Sequence, residues 1–186
     1  MNIKVDENIS LRFLEEQDAA TMLNLVNANR AYLRQWLPWV DSMQTVDHFK
    51  IYINDSIKRT AEKTDFGFAI IFKDQLAGRI GLHHINLQNR IGEIGYWLAD
   101  GMQGKGIVTK CCKAIMQYGF TQLGLNRIEI KCAVGNNRSR AIAQKLNFKE
   151  EGILQQAEWL NGSYINLHLY AMLKEDWMYE VDEKKN

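Results

Sequence analysis

The sequence predicts an α/β fold of the α+β type, in which a mixed, mostly antiparallel, twisted sheet is flanked by helices. Three segments between Phe66 and Ala99 have the two-residue period of strands and are separated by polar turns, which is typical of an antiparallel meander. A helical pattern, a strand, a short helix and two more strands follow. The length of 186 residues fits one domain. We expect it to span residues 1–180, with a polar tail at 181–186.

The first third of the chain predicts one strand and two helices. A short strand covers Ile9 to Phe13, and the acidic segment EEQD then leads into a helical pattern at Met22 to Val26, since acids favour a helix N-terminus. A second helical stretch follows. Between the helices lies LRQWLPWV, where Pro38, the only proline, predicts a bend. Trp36 and Trp39 flank this proline, and aromatic side chains at a bend either line a pocket or belong to the core.

The rest of the chain continues from the three strands FGFAIIF, LAGRIGLHHINL and IGEIGYWLA. Apolar residues from Val108 to Leu123 recur at three- and four-residue spacing, which predicts a helix stopped by Gly124. The strand RIEIKCAV comes next, with its apolar residues on one face: Ile128, Ile130, Cys132 and Val134. A short helix from about residue 138 to 146 precedes a hairpin whose turn falls at residues 161 and 162.

Composition excludes several classes of protein. A net charge of +1 gives no broad basic surface, so we expect no direct nucleic-acid binding. No window is apolar enough to span a bilayer, and the N-terminus lacks the pattern of a signal peptide. The three cysteines, Cys111, Cys112 and Cys132, form no C-x-x-C pair, which predicts neither a zinc site nor a disulfide framework. We expect a cytoplasmic protein without a metal.

The segment QGKGIVT, residues 103–109, is the clearest candidate for a binding loop. A P-loop requires Lys and then Ser or Thr after its last glycine, whereas Gly106 is followed by Ile107 and Val108. A Rossmann fingerprint requires a third glycine where Thr109 stands. What remains is a glycine loop between a strand and a helix, and unpaired amides at a helix N-terminus favour an anion such as a pyrophosphate. A plain turn before a helix is the alternative.

A second motif decides between these interpretations. The sequence resembles the GNAT superfamily of acetyl-CoA-dependent N-acetyltransferases, whose loop pattern [QR]-x-x-G-x-[GA] is matched from Gln103 onward, except that Val108 replaces the last small residue. The family's N-x-x-[SA] element, which opens a helix ending in GF, is matched by Asn136 to Ser139, with Asn147 in place of the glycine. The resemblance implies a GNAT-like sheet.

Within the superfamily, nearly the whole chain resembles the RimL and RimJ branch, the N-terminal acetyltransferases of ribosomal proteins. The segments LRQWLPWV and EGILQQAEWLNGSYINLHLYAML are typical of that branch. The resemblance implies direct attack of a primary amine on acetyl-CoA, with the N-terminal α-amine of a ribosomal protein as the expected acceptor. It also implies a homodimer or larger assembly. The alternatives are a polyamine or other small amine as acceptor, and a non-catalytic acyl-CoA-binding module.

The resemblance also implies which residues bind the donor. Backbone groups at the end of one strand would meet the pantetheine, and one amide there would polarise the thioester carbonyl. The glycine loop would hold the pyrophosphate, with the ammonium group of its lysine outside as an electrostatic aid, and an asparagine would hydrogen-bond the pantetheine arm. These residues are Trp97, Leu98, Ala99, Gln103, Gly104, Lys105, Gly106, Ile107, Val108, Thr109 and Asn136.

Two residues are candidates for proton transfer. Glu158 matches a glutamate of the RimL branch and is the candidate general base, although a solvated Glu beside a turn is the alternative. Many superfamily members carry a tyrosine as acid where Ala143 stands here, so Ser139 is the candidate acid; its alternative role is a helix-start hydroxyl. Cys132 lies on an apolar strand face and is expected to be buried. His83 and His84 are adjacent on a strand and point to opposite faces, so they make no metal site.

Overall fold

Eight strands form one sheet in the computed structural model, which describes residues 1–183. The strands are β1 (Asn2–Lys4), β2 (Ile9–Phe13), β3 (Phe66–Phe72), β4 (Gln75–Asn86), β5 (Ile91–Leu98), β6 (Arg127–Ala133), β7 (Lys149–Leu160) and β8 (Ser163–Leu173). Their order is β1-β2-β3-β4-β5-β6-β8-β7. Neighbours are antiparallel except β5 and β6, which are parallel. The predicted mixed, mostly antiparallel sheet is confirmed.

Five α-helices accompany the sheet within the same described residues: α1 (Ala19–Leu33), α2 (Val46–Ala61), α3 (Ile107–Thr121), α4 (Asn137–Lys145) and α5 (Lys174–Glu183). The bend predicted around Pro38 separates α1 from α2. None of these helices is both long and apolar enough to cross a membrane. The predicted polar tail at 181–186 begins inside α5, and residues 184–186 lie outside the described residues.

The two faces of the sheet carry different helices and different cores. Alternate residues of a strand point to opposite faces. One face packs against α3 through residues such as Ile80, Ile94 and Ile128, and we call it the α3 face. The opposite face packs against α1 and α2 through residues such as Ala69 and Trp97, and we call it the α1–α2 face. Within residues 1–183, the core on the α1–α2 side includes no residue of β6, β7 or β8.

A gap in the sheet separates β5 from β6. The two strands pair over only three residues, from Ile91 opposite Arg127 to Glu93 opposite Glu129. Beyond that point, β5 stays paired with β4 as far as Leu98, and β6 stays paired with β8 as far as Ala133. Residues 94–98 therefore border residues 130–133 across an open cleft, which we call the β5–β6 cleft.

Most predicted elements are confirmed, and the exceptions lie at element ends. The last hairpin turns at Asn161 and Gly162, whose φ angles of 49° and 85° suit a tight two-residue turn. The predicted strand RIEIKCAV ends one residue early. Val134 therefore does not share the buried face of Cys132: the chain turns after Ala133, and the Val134 side chain is 40% exposed.

Candidate functional site

The glycine loop lies at the end of β5, where that strand leaves the sheet. A short 3-10 helix, Asp100–Met102, follows β5, and α3 begins at Ile107. Gly104 and Gly106 have φ angles of 74° and 71°, in the left-handed region that favours glycine. No heavy atom lies within 4 Å of where a Cβ would stand on either glycine, so the loop backbone is open to a ligand.

The N-terminus of α3 offers its backbone amides to this loop. Gly106 is the N-cap residue and supplies no side-chain acceptor. The first backbone bond of the helix runs from the Lys110 amide to the Gly106 carbonyl, so the amides of residues 107–109 have no partner inside the helix. The side chains of Ile107 and Val108 are buried in the core. Val108 therefore replaces the family's small residue without entering the loop.

Two cations border the loop. Lys105 is exposed, and its Nζ donates to the Gly101 carbonyl at 3.0 Å. Arg138, in the first turn of α4, donates from Nη1 to Gln103 Oε1 and lies 3.9 Å from Asp100 Oδ1. Gln103 thereby links the loop to α4. The sequence analysis did not identify Arg138, because it lies 35 residues from Gln103 and matches no motif position.

Backbone amides of β5 line one side of the β5–β6 cleft. The Ala99 amide donates to the Ala77 carbonyl of β4 at 2.8 Å, so it is not free to meet a ligand. The direction of the backbone N–H and C=O groups alternates along an antiparallel strand. The backbone groups of Trp97 therefore also point to β4, whereas those of Leu98 point to the cleft. The Trp97 carbonyl lies only 2.2 Å from where a Cβ of Gly78 would stand, which agrees with this alternation. Of the three predicted residues, Leu98 has the available amide.

The start of α4 closes the other end of the cleft. Asn136 is the N-cap residue, and its Oδ1 accepts the Ser139 amide at 3.1 Å, which leaves its side-chain NH2 group as a donor. Ser139 is therefore not the capping residue. Its Oγ lies 2.9 Å from the Tyr96 hydroxyl, which reaches across from β5. Burial raises the pKa of Tyr96, so its hydroxyl stays protonated.

Tyr96 is a candidate functional residue that sequence reasoning missed. The family's usual tyrosine position is occupied by Ala143, which is fully buried in the core. Tyr96 instead brings a phenol to the cleft from the α3 face of β5. A tyrosine between Gly95 and Trp97, at the end of the last meander strand, was the available signal in the sequence.

Glu158 lies on the opposite face of the sheet from Ser139. Its Cα is opposite Ile165 of β8, so the two side chains share a face of the sheet. Ile165 shares that face with Leu167, two residues later, which is opposite Ala133 of β6. This is the α1–α2 face, and Glu158 therefore projects to it. The strand is irregular just before it, between Leu154 and Glu158. The Glu158 side chain is half-buried, and burial, followed by the nearby Glu93 charge, raises its pKa above the usual range. A raised pKa makes this carboxylate a stronger base.

Comparison with known proteins identifies the family. Residues 8–149 match the model of the acetyltransferase (GNAT) domain. The chain belongs to the GNAT acetyltransferase family. It is 33% identical to the ribosomal-protein-serine acetyltransferase of Escherichia coli over 92% of this chain and 96% of that one. It is 28% identical to the spermidine N(1)-acetyltransferase of Escherichia coli over 93% of this chain and 90% of that one.

A solved GNAT structure shows what a similar fold binds. The structure of RimL, a ribosomal alpha-N-protein acetyltransferase in complex with coenzyme A, superposes with a TM-score of 0.91. It is 29% identical and covers 95% of this chain and 99% of that chain. The protein is thus an acetyltransferase of the GNAT fold. Open left-handed glycines, uncapped helix amides and two cations in its loop fit the pyrophosphate of coenzyme A.

Cys132 lies beside the acid candidate of this GNAT enzyme. Its side chain points to the α3 face and is buried, and burial raises the pKa of the thiol, an effect that its hydrogen bond with Ser139 only partly offsets. A thiol with a raised pKa supplies little thiolate at neutral pH. Cys132 therefore fits the buried structural position expected from the sequence better than that of a nucleophile.

The α1–α2 face of the GNAT sheet contains a cavity of about 250 Å³. Trp39, predicted to lie in the core or beside a pocket, lines it together with Trp97, and their ring centroids are 6.0 Å apart. Trp36 lies elsewhere, against Gly135. His83 also faces this cavity, while His84 is exposed. Across residues 1–183, no cluster of three or more His, Cys, Asp and Glu residues could hold a metal ion.

Proposed function

We propose that the protein transfers the acetyl group of acetyl-CoA to the N-terminal α-amine of a ribosomal protein, by direct attack in a ternary complex. The β5–β6 cleft carries this proposal. It combines an open glycine loop at its mouth, a free Leu98 amide on one wall, and proton-transfer groups on opposite faces of the sheet. The similar ribosomal-protein-serine acetyltransferase supports the choice of acceptor.

The donor would be held mainly by backbone groups. The segment from Gln103 to Thr109 would hold the pyrophosphate through its amides, with Lys105 and Arg138 as flanking cations. The free NH2 group of Asn136 would donate to the pantetheine arm. Acetyl-CoA supplies an acyl thioester, which an amine attacks without a covalent enzyme intermediate.

The Leu98 amide would stabilise negative charge on the thioester carbonyl. Because it belongs to a strand held by β4, its direction is fixed before the acceptor arrives. One preorganised donor of this kind is worth about 3 kcal/mol in related acyl-transfer sites. Backbone geometry therefore supplies a large part of the proposed rate enhancement.

Glu158 would accept a proton from the amine on the α1–α2 face. An α-amine with a pKa near 7.8 costs about 1 kcal/mol to deprotonate at pH 7, whereas a lysine amine near 10.4 costs about 4.6 kcal/mol. A carboxylate of raised pKa is adequate for the α-amine and much less so for lysine. This difference favours an N-terminal acceptor.

Ser139 and Tyr96 would return a proton on the α3 face. The new N–C bond forms as the C–S bond breaks, and the departing thiolate takes the hydroxyl proton of Ser139 while solvent resupplies that hydroxyl and removes the amine proton from Glu158. The Tyr96 hydroxyl, 2.9 Å away, would hydrogen-bond to Ser139 Oγ during this transfer. Base and acid thus act from opposite sides of the cleft, as direct transfer requires.

Release of free thiol from acetyl-CoA tests the activity. Purified protein is mixed with acetyl-CoA and with peptides ending in Ser or Ala, spermidine or an amino-sugar. We expect thiol release above background with the peptides, and acetylation at the α-amine by mass spectrometry. Release with spermidine alone would support a polyamine acceptor. Binding of acetyl-CoA without release with any amine would support a non-catalytic acyl-CoA-binding module.

A further inference from the structure

Three glycines lie side by side across the α1–α2 face of the sheet. Gly67 of β3 is directly opposite Gly81 of β4, which is directly opposite Gly95 of β5. A Cβ on Gly67 would stand 2.6 Å from Arg79 Nη2, and one on Gly95 would stand 3.0 Å from the His83 ring. The missing side chains leave a shallow floor on which Arg79 and His83 lie flat. Arg79 and His83, which lie on this floor, line the 250 Å³ cavity.

The charged groups on this floor form one connected cluster. His83 Nδ1 lies 2.7 Å from Asp65 Oδ2, and Arg79 Nη1 lies 3.2 Å from His83 Nε2. Arg79 Nη2 and Arg59 Nε lie 3.8 Å and 3.7 Å from the carboxylate of Asp65. Asp65 is therefore shared among three neighbours, and each guanidinium is only partly neutralised.

The cavity as a whole is positive. Burial, reinforced by the charge of Arg79, outweighs the hydrogen bond to Asp65 and lowers the pKa of His83, which favours the neutral ring at physiological pH. The bonds of Asp65 to His83 and its proximity to two arginines keep its pKa below the usual value despite burial. The lining thus contains two guanidinium groups, Arg59 and Arg79, and a single carboxylate. A further cation placed here would be repelled, and an anion would be attracted.

The walls of the cavity are apolar and largely aromatic. They are formed by Met22, Trp39, Met43, Phe49, Tyr52 and Trp97. Such walls exclude water and strengthen electrostatic attraction to a ligand group. The Arg79 guanidinium also lies over the Tyr52 ring, 5.3 Å from its centroid, which fixes its position.

The opposite end of the same face carries the carboxylates of Glu93 and Glu158, together with Lys131, whose Nζ lies 2.8 Å from Glu93 Oε2. Glu93 lies at the point where β5 and β6 separate, directly opposite His83 of β4, and its charge contributes to the raised pKa of Glu158. The Arg79 guanidinium reaches the ring of His83, whose backbone lies four residues along β4 from that of Arg79. At about 3.3 Å per strand residue, the Arg79 backbone lies about 13 Å along the sheet from the level of Glu93, and its guanidinium lies nearer.

We propose that this cavity receives an anionic or hydrogen-bond-accepting group of the acceptor, within about four residues of the reacting amine, and that it discriminates against polycations. The inference rests on the proposed function, because it takes the amine to be at Glu158. It adds a preference that the family does not determine: acidic or amide side chains near the N-terminus are favoured, and polyamines are poor acceptors.

Matched peptides test this preference by binding and by turnover. Amidated pentapeptides begin with Ser and carry Glu, Gln or Lys at the second or the third position. Binding is followed by quenching of tryptophan fluorescence with coenzyme A present, so that no acetyl transfer takes place, and spermidine is titrated in the same way. At the better of the two positions, we expect the Glu peptide to bind about tenfold more tightly than the Lys peptide, a difference of about 1.4 kcal/mol.

Variants locate the preference in the cavity. Arg79→Gln and the more exposed Arg59→Gln are each expected to reduce the ratio of Glu to Lys affinity to near one. Arg127→Gln, on the same face but bonded to Glu129 and Glu151 outside the cavity, should leave the ratio intact. Thermal melting and acetyl-CoA affinity show whether each variant is folded. Should Arg79→Gln fail to fold, Arg59→Gln decides.

Several results would overturn the inference. One is binding of the Lys peptides or spermidine as tightly as the Glu peptides, and another is a preference that persists in both cavity variants. Absence of binding by all the peptides would do the same. Failure of the proposed function has a different signature: the binding preference is present, but no peptide releases thiol from acetyl-CoA.

Discussion

Glu158 and Ser139 lie on opposite faces of the sheet, and the proposed role of each in proton transfer can be tested separately. Glu158 projects to the α1–α2 face, where its pKa is raised, while Ser139 hydrogen-bonds to Tyr96 on the α3 face. Neither residue belongs to the glycine loop that would hold the donor. At the scale of single residues, substitutions at these two positions should therefore change turnover without changing donor binding.

Glu158→Gln is expected to lower kcat by about 100-fold, the smaller end of the usual effect of general-base catalysis. Acetyl-CoA affinity should stay unchanged, because Glu158 lies away from the loop. Steady-state thiol release and acetyl-CoA titration measure the two quantities. Glu151→Gln, an exposed carboxylate on the same strand, is the control. Wild-type kcat in Glu158→Gln at every pH would remove Glu158 from the mechanism.

The pH profile gives a second test of Glu158. The carboxylate is the active base, and its raised pKa moves its protonation to higher pH than for an ordinary Glu. Below this pKa, protonation of both the acceptor amine and Glu158 should make log kcat/KM fall with a slope approaching about two, but only about one in Glu158→Gln. Equal slopes in the two proteins would be incompatible with the base role.

Substitution of Gly106 separates charge from backbone strain. Asp and Asn are similar in shape and both tolerate a left-handed φ, here 71°, but only Asp places a carboxylate at the pyrophosphate site. We expect Gly106→Asp to weaken acetyl-CoA binding at least about tenfold more than Gly106→Asn, by charge repulsion. Calorimetric titration measures both affinities. Equal losses in the two variants would indicate strain and not anion binding.

Helices and strands show which parts of the structure local patterns can predict. Periodicity identified the meander of β3 to β5, helix α3 and the final hairpin, because each buries one face along a continuous segment. It missed β1, which has only three residues, and α5, most of which lies between the last strand and the predicted polar tail at 181–186. The β5–β6 cleft has no local signal, since the separation of two strands depends on what packs around both.

The candidate site also has some parts that local sequence patterns predict and others that they do not. Residues 103–109 and 136–139 form two local motifs, and the sequence identified both. Tyr96 and Ser139 are 43 residues apart, and Asp65 and His83 are 18 apart, so only the folded sheet brings each pair together. The availability of the Leu98 amide, unlike that of Ala99, depends on pairing with β4.

The N-cap of α4 offers a test at the scale of an element. Asn136→Asp keeps a good capping acceptor for the Ser139 amide but replaces the free NH2 donor with a carboxylate oxygen. We expect the free energy of unfolding to change little and acetyl-CoA affinity to fall.

The companion variant Asn136→Ala removes both the capping acceptor and the NH2 donor. It should also lower the free energy of unfolding by about 1 kcal/mol, the usual value of a cap. Chemical denaturation and acetyl-CoA titration distinguish the two effects. Unchanged acetyl-CoA affinity in both variants would exclude Asn136 from donor binding.

At the scale of the whole molecule, the proposed function places the two substrates on opposite faces of the sheet. Helices α3 and α4 bring the glycine loop and Ser139 to one side of the cleft, whereas α1 and α2 build the aromatic cavity on the other. An acceptor that approaches from the α1–α2 face meets Glu158 before the thioester. The cytoplasmic location, the homodimer and the single domain at residues 1–180 stay predictions.

Comparison of protein N-termini in cells with and without the gene tests the central claim most directly. Intact ribosomal proteins from both cells are measured by mass spectrometry, and reintroduced wild-type and Glu158→Gln genes serve as controls. The account predicts that at least one ribosomal protein loses its N-terminal acetyl group on deletion and regains it only with the wild-type gene. Identical N-terminal acetylation of every ribosomal protein in the two cells would contradict it.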